Sequence, residues 1–269
     1  MNVEKEVPKQ ISKKQYLGDG SLTGYIVPQG TERIGDWAFA HCRNLKWIAI
    51  PKTLTQIGKE IFMGCDRLET VWFYDESDQM ESFRPETLTY RQQMIGELNA
   101  IALRYFKDPQ SLIRAYHIGE QTVPPVWDAE CKAYLSAPDE TGFQPFLAGG
   151  EEDYEGGEEA VIQYRHRQRC RKAGILWKRL LTDRTGACFH DEGWHRFYLQ
   201  KLRELPEALE VLAQTREHLQ EAIAVSEEAK LLTGENIHTL LELIPAGNVE
   251  LRAVILQKAG RETSGLWEL

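Results

Sequence analysis

The five cysteines of the chain, Cys42, Cys65, Cys131, Cys170 and Cys188, include no CxxC pair, which excludes a zinc ribbon and offers no disulfide framework. Scattered and odd in number, they fit a reducing compartment. The opening stretch MNVEKEVPKQISKKQ lacks an apolar core, and no later run is long enough to span a bilayer. Neither a signal peptide nor a membrane span is expected, and the protein is read as cytoplasmic. Removal of a signal segment from a longer precursor would instead fit the cell surface. Basic charge is in deficit: 41 acidic side chains against 32 Lys and Arg leave a net charge of −9, which argues against a nucleic-acid partner. GxSxG, P-loop and GxGxxG motifs are absent. Nothing positive points to an enzyme, and no catalytic residue or cofactor is expected.

What the sequence does have is a repeat with a period of about 23 residues. Ile34-Gly35 returns as Ile57-Gly58, Phe39 as Phe62, Cys42 as Cys65, Leu45 as Leu68, Ile48 as Val71 and Ile50 as Phe73. Leu22, Tyr25, Val27 and Pro28 match Leu45, Ile48, Ile50 and Pro51 in the same frame. Within one unit, Leu45 to Ile50 alternates, which points Ile48 and Ile50 inward along a strand with one buried face. Pro51 closes that strand because it has no N–H to donate. Ile57 turns back into the core, and Gly58 is expected to permit a tight turn after it. Cys65 is small enough to sit between stacked turns. A single unit cannot bury its apolar side, so neighbours must stack on it.

The stretches IGDWAFAHCRNLKWIAIP (34 to 51) and IGKEIFMGCDRLETVWF (57 to 73) resemble the bacterial leucine-rich repeats of the BspA type, over residues 17 to 74. The resemblance implies a right-handed solenoid with a curved sheet, used for binding proteins, and it brings no catalytic residues. Ile61 stands where the first unit has Ala38, and Tyr74 replaces the expected proline, as in a terminal, cap-like unit. About 2.5 units are fewer than a solenoid needs, so the rest of the chain is expected to cover its open end.

Beyond Pro85 the apolar period changes from 2 to 3.6. Helices are expected over 87–106, from Asp108-Pro109 onward, over 128–135 after a Pro124-Pro125 loop, and over 158–181 and 192–205. A single long helix is expected over 206–232. Two short ones, 235–243 and 249–258, form an αα-hairpin. The fold class is therefore α+β. It comprises an N-terminal tail (1–16), a leucine-rich-repeat solenoid of about 2.5 repeats (17–80) and an all-α helical domain (81–269) with an acidic loop at about 138–157.

Three groups of residues are candidates for function. If Ile48 and Ile50 point inward, Trp47 and Ala49 point outward, and with Ile26 and Trp72 they make an apolar patch on the repeat sheet, a pattern typical of interfaces. Ile26, Trp47 and Trp72 are the candidate binding residues. The basic run from Arg165 to Lys172 could hold a phosphate or an RNA strand, although acidic residues at i,i+4 spacing would neutralise it within its own helix. Cys188, His190 and His195 lie close together, but HDEGWH is not HExxH, and the segment reads as an interhelical turn with Phe189 and Trp194 packed inward. The acidic run from Glu151 to Glu159 lacks EF-hand ligand spacing and reads as a solvated loop. The expected function is a non-enzymatic protein-interaction or scaffold module acting through the repeat sheet on an unidentified protein partner. The alternative is a metal- or nucleic-acid-dependent activity near His190 and His195 or Arg165 to Lys172.

Overall fold

Ile11, Ile34 and Ile57, each one repeat apart in sequence, stand side by side in space. The computed structural model describes residues 9–75, 78, 85–143, 155–186 and 190–264. Strands β1 (Gln10–Ile11), β3 (Arg33–Ile34) and β5 (Gln56–Ile57) form one parallel sheet, in which Ile11 pairs with Ile34 and Ile34 with Ile57. A second parallel sheet contains β2 (Gly24–Ile26), β4 (Trp47–Pro51) and β6 (Thr70–Tyr74). Its register aligns Gly24, Trp47 and Thr70, and likewise Ile26, Ala49 and Trp72. Side chains bridge rungs at the same interval. Asp36 accepts from the Lys59 N–H at 2.9 Å and Trp37 donates to Glu60 at 2.8 Å, each pair one period apart.

The count of about 2.5 repeats needs correction, because each sheet has three strands. Residues 10 to 16, placed in a tail by the sequence reading, begin the first rung. They escape notice because Ser12 occupies the position of Gly35 and Gly58, and Tyr16 that of Phe39 and Phe62. The Tyr16 ring still stacks on Phe39 at 5.0 Å, and Phe39 on Phe62 at 5.8 Å, so one aromatic column runs through all three rungs. A thiol column runs beside it: Cys42 donates to the Tyr16 carbonyl and Cys65 to that of Phe39, both at 3.0 Å.

The fixed spacing also explains the glycines, though not by the expected turn. Gly35 and Gly58 do not lie among the positive-φ residues. A Cβ on Gly58 would instead stand 2.4 Å from the Asp36 nitrogen, and one on Gly35 2.6 Å from the Lys13 nitrogen. The rungs approach too closely there for any side chain. Left-handed backbone occurs elsewhere in the period, in two columns that keep the repeat interval. Lys14, Trp37 and Glu60 form one, with φ of 58°, 53° and 50°; Gly18, His41 and Gly64 form the other, with φ of 73°, 59° and 71°.

Two compact units divide the chain, the first running to Ser136 and the second starting at Ala137. The change of period beyond Pro85 marks where the described helices begin, and the first unit continues through three α-helices. Helix α1 (Tyr90–Tyr105) packs on β6 and α2 (Pro109–Ile118) on β5, while α3 (Val123–Ser136) packs on α1 and α2. The last rung has peptide groups with no fourth rung to bond, and these helices supply partners. Asn99 of α1 donates to the Val71 carbonyl at 3.1 Å and Arg104 to that of Leu68 at 3.0 Å. Gln110 of α2 accepts from the Ile57 N–H and donates to the Thr55 carbonyl, both at 2.9 Å. The open end is thus closed by the chain's own helices. Thr89 and Gln92 form a capping box at the start of α1. Pro124 and Pro125 lie in the first turn of α3 rather than in a loop, since first-turn N–H groups have no helical acceptor to lose.

In the second unit, α4 (Glu155–Arg184) packs against α5 (Glu192–Arg203), α6 (Glu207–Gln214) and α7 (Leu219–Glu228). Leu176, Trp177 and Leu180 are on its buried side, and the Trp177 indole donates to the Ala208 carbonyl at 3.2 Å. The single helix expected over 206–232 is two. Thr215 turns extended and His218 left-handed between them. Asn248 stabilises the break by donating to the carbonyls of Ala213 at 3.2 Å and Thr215 at 2.8 Å. Helices α8 (Gly234–Leu243) and α9 (Val249–Ser264) form the expected hairpin, with Arg252 donating to the Leu241 and Ile244 carbonyls. Of the acidic loop, residues 144–154 lie outside the described residues, while Glu155 onward already belongs to α4. No described helix is long and apolar enough to cross a membrane.

Candidate functional site

The outward side of the β2-β4-β6 sheet gathers the three candidate binding residues. Ile26, Trp47 and Trp72 pack together with Leu88 around Ala49 and Tyr74. Alternation along β4 and β6 places them there, because Ile48, Ile50, Val71 and Phe73 take the other face. Gly24 makes room for the arrangement: a Cβ on it would stand 2.1 Å from the Trp47 ring, so the indole lies flat over the sheet. Ala49, expected to point into solvent, is fully covered by its neighbours, while both indoles stay half-buried. Tyr74 closes the floor of the cluster by donating its hydroxyl to the Val27 carbonyl, and burial pushes its pKa up to about 12. The sequence pattern does not assign Leu88 or Tyr74 to this patch. Leu88 lies outside the repeat frame, and Tyr74 sits at its proline position.

Six copies of the family model described as "BspA type Leucine rich repeat region" match residues 9–114. That span starts where β1 does and runs through α1 into α2. Residues 9–114 match BspA-type leucine-rich repeats. No curated protein and no solved structure matches the chain. Within the repeat region the apolar cluster faces away from the rung interior, where the aromatic and thiol columns lie.

The basic run on α4 behaves differently from either sequence expectation. Three of its cations, Arg165, Arg169 and Lys172, pair with carboxylates outside α4. Arg165 pairs with Glu140, and Asp139 accepts from Arg169 at 2.8 Å and from Lys172 at 2.7 Å. Lys172 is buried and also donates to the Ala137 carbonyl at 2.6 Å. Burial disfavours the Asp139 carboxylate, but the hydrogen bonds from Arg169 and Lys172 prevail and hold its pKa below the ordinary value. Three of the cations thus hold the 138–143 turn against α4.

The HDEGWH segment supplies a buried polar cluster. Asp191 caps α5 by accepting from the Trp194 N–H at 2.9 Å. The cap sets the phase so that His195 faces inward, while Trp194 is only half-buried. Cys188 and Phe189 lie outside the described residues. His195 Nδ1 stands 3.1 Å from Asp183 Oδ2 on α4, and His195 Nε2 stands 3.0 Å from Glu228 Oε1 on α7. His190 Nδ1 lies 3.7 Å from the same Asp183 oxygen. Neither Asp183 nor Glu228 is in the motif window, so sequence reading had no means of adding them. A second group, His166, Cys170 and Glu210, is also close together. Its thiol is pushed up to about 11 by burial and by Glu210 and Glu207.

Proposed function

We propose that this protein is a non-enzymatic interaction module whose repeat sheet binds a protein partner through Ile26, Trp47 and Trp72. One observation carries the reading: two tryptophans and an isoleucine lie together on the outward face of the sheet, and both indoles keep part of their surface in water. Tryptophan gives a large contact area for little conformational entropy, which suits it to anchor an interface. The match to a repeat family supports the same reading. The region is a short solenoid of three rungs, capped at one end by α1 and α2, so the sheet is held rigid for docking. A cytoplasmic setting belongs to the proposal. It is supported by the buried free thiols of Cys42 and Cys65, which serve as hydrogen-bond donors rather than disulfide partners.

The test compares the full chain with a Trp47→Ser, Trp72→Ser double variant in crosslinking capture from the native host. The expected outcome is a specific protein captured by the parent chain and reduced at least tenfold with the variant, while circular dichroism shows both chains folded. Equal capture by the two chains would remove the sheet face from consideration.

A further inference from the structure

We propose that Asp183, His190 and His195 form a binding site for one divalent transition-metal ion, with a fourth coordination position open to solvent. Their candidate ligand atoms lie within 4.8 Å of one another. Two imidazole nitrogens converge on a single carboxylate oxygen: Asp183 Oδ2 is 3.1 Å from His195 Nδ1 and 3.7 Å from His190 Nδ1. Ligands held at about 2.0–2.1 Å around a tetrahedral ion are separated by about 3.3–3.4 Å, between those two distances.

The groups behind these three are arranged as a metal requires. A metal-bound histidine hands its other N–H to a carboxylate, which fixes the ring and its tautomer. Both histidines have such a partner on Nε2: Glu228 Oε1 at 3.0 Å for His195 and Glu192 Oε1 at 3.3 Å for His190. Glu228 is itself held by Arg184 at 3.0 Å. The buried Arg179 takes the second oxygen of Asp183, leaving Oδ2 for the site. Hydrogen bonds engage both ring nitrogens of His195, whereas His190 reaches Asp183 only at ion-pair distance. The Nδ1 of His190 turns toward an oxygen too distant for a hydrogen bond, in a side chain that is 45% exposed.

Ligand chemistry narrows the ion. Two imidazoles and a carboxylate suit Zn²⁺, Fe²⁺ or Co²⁺ and not Ca²⁺ or Mg²⁺, which prefer oxygen alone. The residues line a pocket of about 350 Å³, and His190 lies on its exposed side, so water or a substrate oxygen can reach the fourth position. Three protein ligands and an open position are the arrangement of reactive metal sites rather than closed structural ones.

The experiment uses the full chain, stripped with a chelator and titrated with Zn²⁺ by calorimetry, then with Co²⁺ by visible absorption. One ion per chain is expected, with the d–d bands of a four-coordinate Co²⁺ site. His190→Ala, exposed enough to leave the metal-free fold unchanged, should lower Zn²⁺ affinity at least a hundredfold, and Glu228→Gln about tenfold to a hundredfold. His166→Ala should leave binding unaltered. Absence of binding by the parent chain at micromolar Zn²⁺ would overturn the proposal. So would retention of parent affinity by His190→Ala, or loss of binding in His166→Ala alone.

Discussion

Replacing Gly58 by alanine adds one methyl group where two rungs meet backbone to backbone. The new Cβ would lie 2.4 Å from the Asp36 nitrogen, 2.5 Å from the Gly35 carbonyl carbon and 2.8 Å from the Asp36 Cα. Ordinary contact begins near 3.4 Å, so the rungs would have to part by about 1 Å. No flexible side chain can absorb that shift. Neighbouring inter-rung bonds are short, with Gly58 N–H to the Ile34 carbonyl at 2.7 Å and Trp37 N–H to the Lys59 carbonyl at 3.0 Å. Parting by about 1 Å would stretch them past useful length. Overpacking costs about 1–3 kcal/mol and each lost hydrogen bond about 1 kcal/mol, so the expected destabilisation is about 2–4 kcal/mol. For a unit of this size that lowers Tm by roughly 10 °C. Gly174→Ala provides the matched control: it lies inside α4 with nothing within 4 Å of its Cβ position, and it should gain about 0.5–1 kcal/mol. Urea and thermal melts of the two full-length variants, followed by circular dichroism, read both signs. A loss of less than about 0.5 kcal/mol in Gly58→Ala, no more than an ordinary surface substitution causes, would refute the close stacking of rungs.

Two further outcomes follow from other features of the stack. His41 holds a left-handed backbone at a position where its column mates are Gly18 and Gly64. His41→Gly should therefore stabilise the repeat unit by roughly 0.5–1 kcal/mol, as relief of left-handed strain exceeds the added chain entropy, and a thermal melt checks the sign. Burial raises the pKa of the Cys65 thiol to about 11 and of the Tyr74 hydroxyl to about 12, above their ordinary values of 9.0 and 10.0. The unfolded chain then loses these protons first as pH rises. The stability they confer is complete below pH 9 for Cys65 and below pH 10 for Tyr74, and it is lost as pH climbs through about 11 and about 12. Urea melts across that range should show falling stability in the parent and a shallower fall in Tyr74→Phe. An unchanged slope in that variant would count against a buried, neutral Tyr74.

The repeat was legible because a stacked rung imposes one residue type on each position, and identical positions return at a fixed interval. Ile34, Ile57, Phe39, Phe62, Cys42 and Cys65 show this directly. The first rung was illegible because its signature glycine is Ser12 and its core aromatic is Tyr16, both tolerable beside the end of the stack. Gly58 was visible but its reason was not, since a glycine needed for close approach and one needed for φ look alike in sequence. The break between α6 and α7 was hidden for a different reason. Residues 206–232 favour a helix throughout, and Asn248, more than thirty residues away, caps the carbonyls freed at the interruption. Intrinsic propensity is a weak prior that a few tertiary hydrogen bonds override.

The two candidate sites differ in how much of each a linear reading can reach. The apolar patch inherits the period of its sheet: once Ile48 and Ile50 are assigned to one face, Trp47 must take the other, and Ile26 and Trp72 follow by register. What the register cannot give is degree of exposure, because Leu88 arrives from outside the pattern and Tyr74 stands where the repeat has proline, both packing about Ala49. The histidine cluster has no period to inherit. His190 and His195 flank the Asp191 cap, and a motif search there finds only an imperfect HExxH. Asp183 comes from the final turn of α4 and Glu228 from the final residue of α7, brought to the same pocket by the packing of α5 and α7 on α4. The negative end of α4 also favours a cation beside Asp183. A polar cluster whose members come from α4, α5 with the residue before its cap, and α7 emerges only when their packing is known.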